Sequence, residues 1–265
     1  MGFFVRLTVL CVAALPALAE APTGWHPGAA ELCLLPPYQS ATTDAQRELR
    51  SLVADIEALA PGEDPLLGKL RSRGTAICVE DRPTVARGSY EVDSNLIALR
   101  ASLGTGAKLL ILIHELRHLD QYQRGFCPST DYDMDEMARL TFMVEADAQA
   151  IATYYAWQLA KAGRPDAWEA VQAMPEYADV AASFARAVAD GSSPEIAVAA
   201  AFDRWFVSPW RIETYRASAC AAYLDRLDVT KRLRSYDPLP EGYFETLCRL
   251  PDGTPYRCDP PRPPD

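Results

Sequence analysis

Histidine is nearly missing from this chain, with three in 265 residues. Basic clusters are missing too: Lys and Arg number 26 against 36 Asp and Glu, for a formal net charge of −10. That balance argues against nucleic acid as a partner, because a phosphate backbone needs a basic footprint. No C-x-x-C pair occurs among the seven cysteines, so a metal site built from thiolates is not expected. Beyond the first twenty residues there is no long apolar run, no internal repeat and no low-complexity stretch. A membrane bundle and a repeat solenoid are therefore poor descriptions of this chain.

Residues 1–19 have the form of a secretory signal. Arg6 is the positive start, Leu7 to Leu15 the mostly apolar centre, and Ala17-Leu18-Ala19 the small-residue cleavage site. The expected protein is therefore exported, periplasmic or secreted, with no stable membrane insertion once the signal is removed. Six cysteines follow the signal: Cys33, Cys78, Cys127, Cys220, Cys248 and Cys258. An even count in an oxidising compartment suggests three disulfides among 15 possible pairings. Cys248–Cys258 is the one pair suggested locally, because Leu-Pro-Asp-Gly-Thr between them has turn chemistry.

Two of the three histidines fall in one motif, His114-Glu115-Leu116-Arg117-His118, preceded by five consecutive apolar residues and followed by Arg124-Gly125 as a helix end. On a helix, residues four apart share a face, so His114 and His118 can grip one metal ion. Glu115 stands about 100° round the helix from His114, where it can reach a water on that metal without ligating it. With so few histidines, chance would produce this pattern roughly 0.002 times per chain. The third histidine, His26, lies in a Pro- and Gly-rich stretch and reads as a loop residue.

The rest of the chain reads as a mostly α, α+β scaffold. Residues 20–235 form the expected main domain, with a core at 85–160 and a helical part at 164–228, and residues 236–265 a Pro-rich tail stapled by a disulfide. From Thr42 the spacing is helical, with Thr43 or Asp44 as N-cap and Leu49, Leu52, Val53, Ile56 and Leu59 on one face. Leu66 to Leu70 suggests a short turn, and Thr75 to Val79 a strand. Ser89 to Leu99 has two β-prone runs around Asp93-Ser94-Asn95, a hairpin whose edge could take an extended peptide. Asp133 or Asp135 is expected to cap a long helix over residues 136–162. Between Leu140 and Ala160 the only charges are Glu145 and Asp147. A carboxylate on a helix apolar all round needs a cation or hydrogen-bond partners, so this helix is where a third metal ligand is expected. Pro165 to Asp190, Pro194 to Phe206 and Pro209 to Leu227 continue the helical spacing.

These residues resemble the zincin metallopeptidases of the gluzincin type, in which a Glu on a second helix joins the two histidines of HExxH. Several such families carry E-x-x-A-D there, and Glu145-Ala146-Asp147-Ala148-Gln149 matches except at the last place. The string His-Glu-Leu-Arg-His-Leu-Asp-Gln is also similar to metallopeptidase-like domains of uncharacterised exported bacterial proteins; the resemblance covers about residues 85–160. It implies one Zn²⁺ per chain held by His114, His118 and Glu145, with Asp147 and Glu136 as rivals for the third place. Gln149 would stand behind a ligand histidine where the family has Asp. The implied activity is hydrolysis of a peptide or protein substrate by a zinc-activated water, with Glu115 as general base. The resemblance also implies a further donor for the oxyanion, a His or Tyr in many relatives; Tyr215 and Arg211 are candidates because they are donors in the aromatic segment 201–215. The metzincin extension is absent, since Gln121 stands where its Gly would be. The alternative is a catalytically weak or inactive, metal-stabilised binding protein of the cell envelope. Oligomeric state and cleavage specificity do not follow from the sequence.

Overall fold

The computed structural model describes residues 30–80 and 86–259. The signal-like segment and His26 lie outside the described residues. The architecture is mostly α, in the α+β class: eight helices and one four-stranded sheet among the described residues. After a 3₁₀ turn at Ala30–Leu32 come β1 (Cys33–Leu34), α1 (Asp44–Glu57), α2 (Pro65–Arg73), β2 (Ala76–Glu80), β3 (Gly88–Glu91) and β4 (Leu96–Arg100). The remainder is helical: α3 (Thr105–Gln123), α4 (Met134–Lys161), α5 (Asp166–Ala173), α6 (Ala178–Ala189), α7 (Pro194–Trp205) and α8 (Pro209–Thr230).

Local chemistry accounts for most of these boundaries. Thr43 caps α1 in a capping box with Gln46, which satisfies two backbone donors that a helix start leaves without partners. Asp64 caps α2, Pro65 opens it, and Gly74 at φ 65° closes it. The element is thus a nine-residue helix rather than the short turn expected at 66–70. Asp133 caps α4 by accepting from the Asp135 N–H at 2.8 Å. One expectation is corrected: residues 165–190 are two helices, because Pro175 cannot continue the first and forces Met174 to an extended ψ of 110°.

The sheet order is β1-β2-β4-β3, with β2 and β4 parallel and both outer pairs antiparallel. The β3–β4 hairpin turns through Asn95 at φ 50°, and β3 is left at the edge. Helix α3 lies at the centre, packed on α1, α2, α4, α5, β3 and β4. Every residue from Lys108 to Gln121 is buried. Its one deep cation before the motif, Lys108, is neutralised by Glu48 at 2.9 Å. The main hydrophobic core runs from Leu34 through α3 and α4 to Leu247, Leu250 and Tyr256, so residues of the Pro-rich tail close the same core; a small second cluster gathers Cys33, Ala76, Cys78 and Leu96.

Two disulfides lie within the described residues. Cys33–Cys78 joins directly paired residues of β1 and β2, and Cys248–Cys258 closes the loop suggested by its turn. Cys220 is a free thiol, partly buried on α8. This corrects the expectation that all six cysteines after the signal pair with one another: the position of α8 leaves Cys220 without a described sulfur in bonding distance. No helix among the described residues is long and apolar enough to cross a membrane.

Candidate metal centre

Helices α3 and α4 bring three ligand-type atoms together. His114 Nε2 lies 3.0 Å from His118 Nε2. The Glu145 carboxylate lies 3.3 Å from His114 Nε2 and 3.5 Å from His118 Nε2. Donors about 2.0–2.1 Å from a tetrahedral ion stand about 3.3 Å from one another, so the three separations fit a single ion. Among the described residues, His114, His118 and Glu145 form a group of side chains that could hold a metal ion. The donor set has the same character: two imidazoles and one carboxylate, all largely withdrawn from water.

The electrostatics follow from that withdrawal. Burial by itself would raise the Glu145 carboxyl, yet the two adjacent imidazoles hold it well below the usual carboxylate range. Burial would lower His118, but the Glu145 carboxylate beside it outweighs this and pushes it up to about 9. The His118–Glu145 pair therefore favours a bound positive charge. Metal uptake should accordingly release protons and weaken as pH falls.

Glu115 is buried beside the cluster without belonging to it. Burial raises its carboxyl above the usual range, against the pull of His118 and His114, while the backbone N–H of Tyr90 on β3 supports the ionised form. A carboxylate shifted in this direction is better matched to taking a proton near neutral pH. Its neighbour across the strand is Gly88, where a Cβ would fall 2.4 Å from Ile111 Cγ2 and 3.3 Å from Glu115 Oε1. Glycine is what allows β3 to lie against α3 here. Gly88→Ala should cost about 1–3 kcal/mol through overpacking, seen as a thermal midpoint several degrees lower; an unchanged midpoint would mean that β3 can lift off α3 freely.

The other sequence candidates divide clearly. Asp147 does not join the cluster: it is fully buried and receives Arg117 Nε at 2.7 Å and Arg117 Nη2 at 2.9 Å. Glu136 pairs with Arg139 near the start of α4, on the surface. Arg211 is buried against Asp179 and the carbonyls of Trp205, Glu176 and Arg204, which leaves it a structural role. The Tyr215 hydroxyl bonds that of Tyr177 at 2.7 Å. Burial raises both phenols, and in each case the next cause is the charge of Glu145, which puts the pair within electrostatic reach of the cluster. Gln149 donates to Thr153 Oγ1 at 3.4 Å, and its Oε1 and His114 Nδ1 are both buried without a hydrogen-bond partner.

Three residues beside the site were not picked out from the sequence. Tyr177 stands before α6 with no motif around it. Tyr122 stacks near His118, with ring centroids 6.1 Å apart, and burial raises its phenol. Gln121 Oε1 lies 2.8 Å from the outer nitrogen of His118, Nδ1, as its hydrogen-bond acceptor. Only the last carried a usable signal, an amide one turn beyond a histidine that must present its other face to a metal.

A buried HExxH helix, crossed by a second helix whose carboxylate completes a three-donor cluster, defines a protein of the metallopeptidase-like class. The chain belongs to the Putative metallopeptidase family (DUF6782), whose model matches residues 27–258. Comparison with curated proteins and with solved structures returns no match.

Proposed function

We propose that the protein is an exported, zinc-dependent peptidase of the gluzincin type, with His114, His118 and Glu145 as ligands and Glu115 as general base. The observation that carries this reading is the convergence of His114 Nε2, His118 Nε2 and the Glu145 carboxylate within 3.0–3.5 Å, with a second buried acid, Glu115, alongside. Two His and one Glu with an open position is a donor set of catalytic zinc. Bound there, zinc would polarise the scissile carbonyl and acidify water.

The chain's own residues supply the rest. Glu115 takes the proton of the attacking water and returns it to the departing amine. The Tyr215 hydroxyl, oriented by Tyr177, donates to the oxyanion as it develops. Edge strand β3 offers backbone groups to an extended peptide beside Glu115, a mode in which the main chain gives affinity and side-chain pockets give selectivity. Gln149, one turn beyond Glu145 on α4, is the acceptor suited to His114 Nδ1, since each is otherwise a buried group without a partner. The desolvation of Glu115 favours a peptidase over a metal-stabilised binding protein, because a site that only holds a metal has no need of a buried base. The signal-like residues 1–19 and the disulfides support export to the periplasm or beyond.

The test is metal content per chain, by mass spectrometry of the purified mature protein beside Glu145→Ala. One zinc in the wild type and much less in the variant is expected. Equal zinc in both would move the third ligand elsewhere, and none in either after reloading at neutral pH would remove the peptidase reading.

A further inference from the structure

The imidazole of a metal-binding histidine must present a bare nitrogen, and something has to keep the ring's proton on the other side. For His118 the structure assigns that task to Gln121, clamped by Asp147, as the positioning residue of the metal centre. The inference rests on the ligand set proposed above.

Gln121 is wholly buried. Its Nε2 donates twice, to the Val144 carbonyl at 2.8 Å and to Asp147 Oδ2 at 2.6 Å. A main-chain carbonyl only accepts. Asp147 is held as an acceptor too, because its two oxygens also receive Arg117 Nε, Arg117 Nη2 and the Tyr256 hydroxyl. Both amide hydrogens of Gln121 are thereby committed, and a flipped amide would set its oxygen against two acceptors. Its Oε1 must therefore face His118 Nδ1, at 2.8 Å, and can only accept there. The amide oxygen keeps a proton on His118 Nδ1 and leaves Nε2 as the nitrogen that faces His114 and Glu145. The orientation is thus fixed by the partners of the amide rather than by the ring.

The relay also ties the site to distant parts of the chain. Arg117 belongs to the HExxH motif but points away from the ligand cluster, to Asp147 and to the carbonyls of Leu247 and Arg249. Tyr256, inside the Cys248–Cys258 loop, reaches the same Asp147. The motif helix, α4 and the C-terminal loop meet at one carboxylate that holds Gln121 in register.

The experiment compares wild type with Gln121→Met, which fills the space and removes every hydrogen bond, and Gln121→Glu, which restores an acceptor for His118 Nδ1. Zinc affinity is read by competition with a chromophoric chelator, and folding by denaturation of the metal-free forms. Gln121→Met should bind zinc about 10–100-fold more weakly; Gln121→Glu should be less stable, because its second oxygen faces the Val144 carbonyl and Asp147 Oδ2, yet return zinc affinity to within a few-fold of wild type. A structural role alone would weaken both variants in step with their stability, so affinities that merely track stability, or that do not change in Gln121→Met, overturn the inference. If the wild type itself binds no zinc, the ligand reading fails, and ring ¹⁵N NMR of the metal-free protein decides the present one. A protected His118 Nδ1–H that disappears in Gln121→Met upholds it; its absence from the wild type overturns it.

Discussion

Replacing Glu115 by Gln should lower peptide hydrolysis by about 10²–10⁴-fold while the protein still binds one zinc. The amide has the shape of the carboxylate, can still accept the Tyr90 N–H, and contributes nothing to the ligand cluster, so binding of the metal and the fold should persist. What it lacks is the capacity to take a proton. Burial already holds the Glu115 carboxyl above the usual carboxylate range, so a neutral side chain there should not destabilise the protein. The measurement is kcat on a quenched-fluorescent peptide library, with zinc content and thermal midpoint determined on the same samples. Retained turnover would sink the mechanism; loss of turnover together with loss of zinc would move Glu115 from base to ligand.

The second large effect is on stability. Asp147→Ala should destabilise the protein by about 3–5 kcal/mol, against a typical total of about 5–15 kcal/mol for a folded domain. The substitution leaves the Arg117 guanidinium buried with only Asp120, at 3.0 Å, and two carbonyls as partners. It also leaves the Tyr256 hydroxyl and one Gln121 N–H without their acceptor. Asp147→Asn should be milder, since the amide oxygen can still accept from the guanidinium. Denaturant midpoints in the presence of a chelator separate this from any effect of zinc. The same variant tests the rival ligand: if Asp147 rather than Glu145 bound the metal, the alanine form would lose zinc with its metal-free stability intact.

Much of the scaffold was legible because it depends on near neighbours in the chain. The run of apolar residues before His114, the cap at Thr43 and the turn through Asn95 each act over a few residues, and each appears where the sequence places it. Pro175 was legible in principle and was overridden by the helical spacing on either side of it. Cys220 was misjudged because an even count says nothing of where α8 sets its side chain. The helical period separates Glu145 from Asp147 by about 200°, but the sequence does not say which of them faces the histidines. Both in fact meet α3: Glu145 the stripe bearing His114 and His118, Asp147 the adjoining stripe bearing Arg117 and Gln121.

By itself, then, the sequence determined that two histidines and a glutamate share one helix with metal-site spacing, and that the chain is mostly helical with a small sheet ahead of that helix. It did so because a 3.6-residue period and turn chemistry are local and need no knowledge of what packs where. Only the tertiary structure decided which carboxylate joins the histidines, which amide holds His118, and that Tyr177 and Tyr215 stand together near Glu145. Those relations span tens of residues. They are set by how α3 and α4 cross and how the C-terminal loop closes over Asp147, and the large buried surfaces that choose the crossing leave no local mark on the chain.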